Sequence, residues 1–215
     1  MKSVLLIGMG KFGQTLGEKL LSMGVEVMIV DKHEDKINQV STKYTDALIA
    51  NCMNADNLRT LDVPSFDACI VAIGDDFQSS LEITSLLKEL GAKWVVSKAT
   101  TEIQRKFLLR NGANEVVYPD YDTAAKLAVK LNSKRVRDYI ELNNEYSIFE
   151  IDVPDKWAGK KLIDLNPRKK YGLNLLTVKK GTLVVDALDA NYVFEKGDHM
   201  LVFGKTEKIL AFANK

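Results

Sequence analysis

The sequence has few of the side chains on which hydrolytic and metal-dependent enzymes rely. Its 215 residues include only two cysteines and two histidines, and the motifs HExxH, CxxC and GxSxG do not occur. HExxH supplies two zinc ligands and a general base, CxxC supplies a redox-active or metal-binding pair of thiols, and GxSxG supplies an exposed nucleophilic serine. Metal-dependent or nucleophilic catalysis therefore has no visible support. Cys52 and Cys69 lie in or just after apolar runs, which favours buried thiols over a disulfide or a metal site.

Excess charge and long apolar segments are also lacking. The 30 basic and 29 acidic residues give a formal net charge of +1, so no global field draws the chain to nucleic acid or anionic lipid. Apolar runs such as 68–73 are far shorter than the roughly 20 residues that span a bilayer. Met1-Lys2 leads directly into an apolar run and leaves no room for a signal peptide. We expect a cytoplasmic protein whose membrane role, if it has one, requires a protein partner.

What the sequence does contain is a glycine motif in an informative setting. Residues 4–7 are apolar, Gly8-Met9-Gly10-Lys11-Phe12-Gly13 follows directly, an amphipathic segment extends to Met23, and a second apolar run ends on Asp31. This order predicts a strand, a glycine turn, a helix and a second strand that ends on an acid.

Each part of this stretch has a role in dinucleotide-binding folds. Gly8 permits a tight turn, Gly10 lets the backbone approach a pyrophosphate, and Gly13 lets the helix pack closely on the strand. The free N–H groups of the helix that begins near Lys11 would face phosphate oxygens. Asp31 lies where a carboxylate accepts hydrogen bonds from ribose hydroxyls and repels a 2′-phosphate. The pattern predicts an adenine nucleotide or dinucleotide site; the alternative is a Rossmann-like layer whose glycines serve packing alone.

Short apolar runs continue to alternate with helical patterns after Asp31. Six strands are predicted at 4–7, 25–30, 47–50, 68–73, 94–96 and 115–118. Nearly continuous apolar strands separated by helices indicate a parallel sheet covered on both faces, because such strands are buried on both sides. We therefore expect an α/β fold, a Rossmann-like doubly wound parallel sheet.

The rest of the chain follows a different pattern. An apolar stripe predicts a long crossover helix over 121–139, with Lys134, Arg135 and Arg137 interpreted as favourable cations near its C-terminus. After Asn143-Asn144, short alternating runs predict a small α+β domain with antiparallel strands. We expect a Rossmann nucleotide-binding domain with its crossover helix over 1–140 and the small domain over 141–215.

An oxidoreductase requires a proton relay and a substrate cavity beside the nicotinamide. His33 follows Asp31 on the adenosine side and His199 lies in the small domain, so neither is placed for hydride chemistry. Gly204-Lys205-Thr206 is not a P-loop, since the required earlier glycine is replaced by His199. A small NAD-dependent oxidoreductase remains the enzyme alternative. A DNA-binding repressor would need a basic reading helix, which the chain does not supply, so no nucleic-acid partner is expected.

The chain resembles the RCK (KTN) regulatory subunits of Ktr- and Trk-type potassium transporters and channels, closest to the KtrA-like branch. The resemblance covers nearly the whole chain, and its small-domain motifs are more specific than its glycine motif. It rests on these stretches: Gly8 to Gly13, Asp31, Ala50-Asn51, Val71 to Gly74, Ser97-Lys98, Ile163 to Gly172 and Gly197 to Gly204.

The resemblance implies ATP and ADP, or NADH and NAD, as competing ligands. It implies nucleotide contacts from the following residues: Gly8, Met9, Gly10, Lys11, Phe12, Gly13, Asp31, Lys32, His33, Asn51, Cys52, Ala72, Ile73, Gly74 and Lys98. It also implies a homodimer-based ring, an octamer, docked on the cytoplasmic face of a membrane potassium-translocating subunit. The chain would be a gating subunit and not an enzyme.

Two positions depart from the family pattern. Lys11 stands where arginine is common, and Asp120 stands where the Ktr branch commonly has glutamate. Both keep the charge, but lysine lacks the bidentate fork that arginine offers to phosphate. The positive charge of Lys11 favours ATP and ADP as the competing pair, because a dinucleotide has no γ-phosphate that could pair with a cation.

Two further ligands are expected, the first of them from the resemblance and the second from the charge around Asp120. Asn166, Arg168 and Tyr171 would hold cyclic di-AMP in a groove between two small domains; the alternative is that they form only a dimer interface. If Asp120 carboxylates of two subunits meet beside nucleotide phosphates, the negative charge would require a hard, oxygen-ligated ion, magnesium or calcium. The alternative role of Asp120 is stabilisation of a helix N-terminus.

Overall fold

The computed structural model describes residues 2–215 and contains two compact units. The first unit ends at Tyr121, and the second runs from Asp122 to Lys215. Each unit has its own sheet and its own buried core.

The first unit contains a six-stranded parallel sheet. Its strands are β1 Ser3–Ile7, β2 Glu26–Asp31, β3 Asp46–Ile49, β4 Ala68–Val71, β5 Val95–Lys98 and β6 Glu115–Val117. They are ordered β3-β2-β1-β4-β5-β6, and every neighbouring pair is parallel. The predicted Rossmann-like fold class is confirmed.

Helices cover both faces of this sheet, which explains why the sequence of each strand is a nearly continuous apolar run. The helices are α1 Lys11–Ser22, α2 Glu34–Val40, α3 Ala55–Arg59, α4 Phe77–Glu89 and α5 Glu102–Arg110, and helix α6 Pro119–Leu131 follows β6. Along β1, Val4 and Leu6 belong to one core cluster with Ile37 of α2. Leu5 belongs to another cluster with Leu87 of α4. Within residues 2–215, no helix is long and apolar enough to cross a membrane.

Local signals set the ends of α4. The Asp76 carboxylate accepts the Ser79 backbone N–H at 3.1 Å and caps the first turn. Beyond the last turn Gly91 has φ +84°, a conformation that glycine adopts without a Cβ penalty. Helix α4 therefore ends just before Gly91.

The topology leaves a crevice at the carboxyl ends of β1 and β4. The connections from β1 run outward through β2 and β3 on one side, and the chain then returns to β4 on the other side of β1. Adjacent loops therefore diverge between these two strands, and ligands of open α/β sheets bind at such a switch point.

The second unit contains a five-stranded antiparallel sheet in the order β10-β9-β11-β8-β7. The strands are β7 Val136–Glu141, β8 Tyr146–Asp152, β9 Asn174–Lys180, β10 Leu183–Val184 and β11 His199–Lys205. Its helices are α7 Leu162–Leu165, α8 Pro167–Tyr171 and α9 Thr206–Ala213, the last of which is not among the predicted elements. Phe149, Trp157 and Phe194 are fully buried in its core.

The predicted helix over 121–139 is wrong in its second half. Helix α6 ends at Leu131, and Val136 begins strand β7. Arg137 consequently lies on a strand, where its guanidinium donates to both Asp152 carboxylate oxygens at 2.7 and 2.8 Å. Lys134 and Arg135 lie in the connection between the helix and the strand.

The compact units also divide earlier than the predicted boundary after residue 140. The contacts place the division between Tyr121 and Asp122. The reason is that Val136 and Tyr139 are buried in the core of the second unit and β7 pairs with β8.

Candidate functional site

The glycine turn joins β1 to α1 through close backbone contacts. Gly8 has φ +101°, and a Cβ there would lie 3.0 Å from the Ile73 side chain. A Cβ on Gly13 would lie 2.1 Å from the Gly8 carbonyl oxygen, so α1 can pack on the turn only through glycine. A Cβ on Gly10 would meet nothing within 4 Å. Gly10 precedes α1 and makes no side-chain cap, which leaves the first N–H groups of the helix open to an anion.

Asp31 ends β2 and holds the turn from the opposite side. Its carboxylate is buried, with 6% of the residue exposed. Oδ2 accepts the Met9 backbone N–H at 2.7 Å. Oδ1 accepts the His33 backbone N–H at 2.9 Å and lies 2.8 Å from His33 Nδ1. The Lys36 ammonium lies 3.7 Å from Oδ2.

These contacts decide the charge of Asp31. Burial by itself would raise the pKa of this carboxyl, but the hydrogen bonds from Met9 and His33, together with the charge of Lys36, hold the pKa below its ordinary value. Asp31 is therefore ionised at neutral pH. Because its pKa is lowered by folding, its stabilising contribution is present at neutral pH and is lost as pH falls through the lowered pKa.

A cavity of about 190 Å³ opens beside Asp31 at the carboxyl ends of β1 to β4. Ten predicted nucleotide-contact residues line it: Gly8, Gly10, Asp31, Lys32, His33, Asn51, Cys52, Ala72, Ile73 and Gly74. Seven further residues were not predicted: Ile7, Lys36, Ala50, Asp75, Asp76, Ser79 and Ile83. The spacing of Asp76 and Ser79 before an apolar run is a helix N-cap signature that could have identified this wall.

The other five predicted residues do not line the cavity. Met9 is buried behind the turn, and Gly13 is buried inside α1. Lys11 is exposed at the first position of α1. Lys98 Nζ lies 5.7 Å from the centre of the Phe12 ring, at the edge of the site near Gly74.

Charged and polar groups surround the mouth of the cavity. Lys32 Nζ lies 3.6 Å from Asp76 Oδ2, linking the loop after β2 to the start of α4. Asn51 Oδ1 accepts the Met53 backbone N–H at 3.1 Å and shapes the loop after β3. Burial, with a smaller effect of the Asp31 charge, raises the pKa of the Cys52 thiol to about 12. Cys52 is therefore a protonated wall residue and not a reactive thiolate.

Asp120 lies in the first turn of α6, where its exposed carboxylate is favourable to the helix dipole. Residues 2–215 contain no group of three or more histidine, cysteine, aspartate or glutamate residues arranged to hold a metal ion. Asp120 therefore belongs to no such group within the described residues.

A second groove, of about 490 Å³, lies in the second unit between α8 and α9. Cations dominate its lining, which contains Arg168, Lys169, Lys170, Tyr171, Gly172, Lys208, Ala211, Phe212 and Lys215. Tyr171 packs edge to face with Phe212 at 4.9 Å between ring centres. Asn166 does not line this groove; it caps α8 by accepting the Lys169 backbone N–H at 3.2 Å. Arg168 and Tyr171 are thus brought together, while Asn166 shapes the backbone.

His199 is part of a charged cluster on the second sheet. Its Nδ1 lies 3.1 Å from Glu150 Oε1, and its Nε2 lies 3.5 Å from Asp152 Oδ1. Lys179 also pairs with Glu150 at 2.8 Å. Burial would raise the pKa of Glu150, but the bonds from Lys179 and His199 keep it below its ordinary value. These interactions account for His199 as a structural residue.

Solved structures with the same fold include the GsuK channel. The GsuK channel bound to NAD matches with a TM-score of 0.69 and 16% identity, over 100% of this chain and 39% of that chain. GsuK bound to ADP matches with a TM-score of 0.51 and 16% identity, over 63% of this chain and 35% of that chain. This chain thus spans less than half of those channel chains, and the likeness shows the fold.

Family models and full-length relatives identify the family. The TrkA-N domain matches residues 4–119, and the TrkA-C domain matches 146–215. Ktr system potassium uptake protein C of Bacillus subtilis is 36% identical, over 100% of this chain and 97% of that protein. Ktr system potassium uptake protein A of the same organism is 35% identical, over 100% and 96%. The resemblance inferred from the sequence is confirmed: the chain belongs to the family of Ktr system potassium uptake proteins, with a TrkA-N domain followed by a TrkA-C domain.

Proposed function

We propose that this chain is a nucleotide-sensing regulatory subunit that controls potassium flux through a separate membrane protein of the Ktr or Trk type. The observation that carries the proposal is the cavity beside Asp31, which combines a buried ionised carboxylate with the open N-terminus of α1. These two features match the ribose and the phosphates of one nucleotide. Full-length similarity to Ktr proteins supports the regulatory role.

The proposed ligands are ATP and ADP in competition, with NADH and NAD as the alternative pair. Lys11 supports the first pair because it places an exposed cation at the phosphate end of the site. A γ-phosphate can pair with such a cation, and a dinucleotide has none. The NAD-bound and ADP-bound GsuK structures concern another protein, but they are the reason why both ligand pairs should be tested.

Regulation would arise from a difference in affinity. A ligand shifts a conformational equilibrium only by the amount by which it binds one state more tightly than the other. We propose that the chain works on the cytoplasmic face of the membrane as a homo-oligomer, a dimer-based octameric ring. We propose that this control is regulatory and not catalytic, which the similarity to Ktr system potassium uptake proteins supports.

The first prediction tests the ribose contact. Asp31→Ala should weaken ADP binding by one to two decades, because hydrogen bonds to a charged group are worth about 1.5–3 kcal/mol each. Titration calorimetry on the full-length chain measures this, with ATP and NADH titrated in parallel. Asp46→Ala is the matched control, since Asp46 is exposed at the other end of the parallel strands. Unchanged ADP affinity in Asp31→Ala would remove the ribose from this carboxylate.

The second prediction concerns the terminal phosphate. Lys11→Ala should reduce ATP affinity more than ADP affinity, and so narrow the difference on which gating depends. The control is Lys19→Ala, an exposed lysine in the last turn of the same helix. Equal losses for both nucleotides would show that Lys11 does not contact the γ-phosphate.

The third prediction concerns the divalent ion. If Asp120 of two copies shares a magnesium or calcium ion with the nucleotides, ATP and the ion should bind with positive coupling, and Asp120→Asn should abolish it. ATP affinity is measured with each ion and with a chelator, and Asp122→Asn on the same helix serves as the control. If the ATP affinity of the wild-type chain depends on the ion no more than chelation of free ATP explains, Asp120 only stabilises its helix.

The fourth prediction concerns the groove between α8 and α9. Its cations and its Tyr171 wall favour a phosphate-containing ligand, and we propose cyclic di-AMP, held between two copies of the domain. The full-length chain should bind cyclic di-AMP saturably, and Arg168→Ala should weaken binding at least tenfold. Lys196→Ala, an exposed lysine outside the groove, should not. A dimeric chain that does not bind cyclic di-AMP would leave Arg168 with an interface role only.

A further inference from the structure

The His33 ring occupies the acceptor that the proposed nucleotide requires. The ring lines the cavity, its side chain is 48% exposed, and Nδ1 lies 2.8 Å from Asp31 Oδ1. An ionised carboxylate can only accept hydrogen bonds, so Nδ1 carries a proton in this contact. His33 therefore donates twice to one oxygen, from its backbone and from its ring.

The acceptor positions of Asp31 are limited. Two carboxylate oxygens offer about four lone-pair sites. The backbone and ring N–H groups of His33 use two lone-pair sites on Oδ1, and the Met9 N–H uses one on Oδ2. The Lys36 ammonium lies 3.7 Å from Oδ2. A ribose that donates through both hydroxyls requires two sites. The ribose can therefore obtain its second site only if the His33 ring leaves.

We propose that His33 is a built-in competitor of the ribose at Asp31. The ring bonds to the carboxylate in the free chain, and nucleotide binding displaces it toward solvent. The inference rests on the proposed nucleotide function and adds to it a regulatory residue. The half-exposed position of the ring makes the displacement feasible without any movement of the backbone, whose own N–H remains on Asp31.

The other charged groups around the ring cannot take over this role. Lys36 reaches Asp31 from α2 on the other oxygen, and Lys32 is paired with Asp76 at the start of α4. Burial keeps the Cys52 thiol protonated. Glu34 and Asp35 are exposed acids in the first turn of α2, and Asp75 lines the cavity from the loop after β4. None of these groups donates a hydrogen bond to Oδ1.

Competition by the ring lowers nucleotide affinity, because the hydrogen bond between His33 Nδ1 and Asp31 Oδ1 must break before a ribose hydroxyl can take its place. Removal of the ring should therefore strengthen nucleotide binding.

The test is ADP titration into the full-length chain. His33→Ala should bind ADP about tenfold more tightly than wild type, because the ribose no longer has to displace a hydrogen bond. His33→Phe keeps the bulk of the ring but not its hydrogen bond, so it should behave like His33→Ala. His199→Ala should retain the wild-type affinity.

Three results would overturn the inference. An unchanged or weaker ADP affinity in both His33 variants would mean that the ring does not compete. Tighter binding in His33→Ala but not in His33→Phe would mean that the ring obstructs the site by its bulk. A wild-type chain that binds none of ADP, ATP and NADH would overturn the proposed function itself, a result distinct from the other two.

Discussion

The first unit of this protein depends on one buried carboxylate. Asp31 joins the glycine turn after β1 to the end of β2 and the beginning of α2, through the N–H groups of Met9 and His33. Hydrogen bonds to a charged group are worth about 1.5–3 kcal/mol each, and an unpaired buried donor costs about 1–3 kcal/mol. The same residue thus shapes the cavity and offers the cavity its acceptor. A substitution at Asp31 will therefore affect both the backbone of the turn and the ligand contact.

The near-zero net charge hides two sites of opposite character. The cavity of the first unit is built around an acid, with cations Lys32 and Lys36 at its rim. The groove of the second unit is lined by one arginine and four lysines and by no acid. Electrostatic interactions are screened beyond about 8–10 Å at physiological ionic strength. The charges close to each site therefore determine which ligand it attracts, and the net charge of the chain does not. Composition excluded a global basic field correctly but could not reveal this groove.

The buried residues of strand β7 do not show the alternation that identifies a strand in a sequence. Val136 and Tyr139 are both buried, and a spacing of three residues is typical of one helix face. In the structure the spacing comes from an irregularity in β7, whose pairing with β8 shifts register between Val136 and Asp138. An extra residue interrupts the two-residue alternation of a strand and imitates helical periodicity. The strand exists because β8 pairs with it, which is a contact that no local pattern reports.

The sequence by itself determined the strand, glycine turn, helix, strand and terminal acid of the first unit. Their signals are local: Gly8 has a positive φ, Gly13 lies against the carbonyl of Gly8 five residues earlier, and continuous apolar strands require two covered faces. Only the tertiary structure decided that Asp76 and Ser79 complete the cavity and that Lys208 of α9 joins Arg168 of α8 in one groove. These groups are distant in sequence, and they meet because sheet order and helix packing place them together.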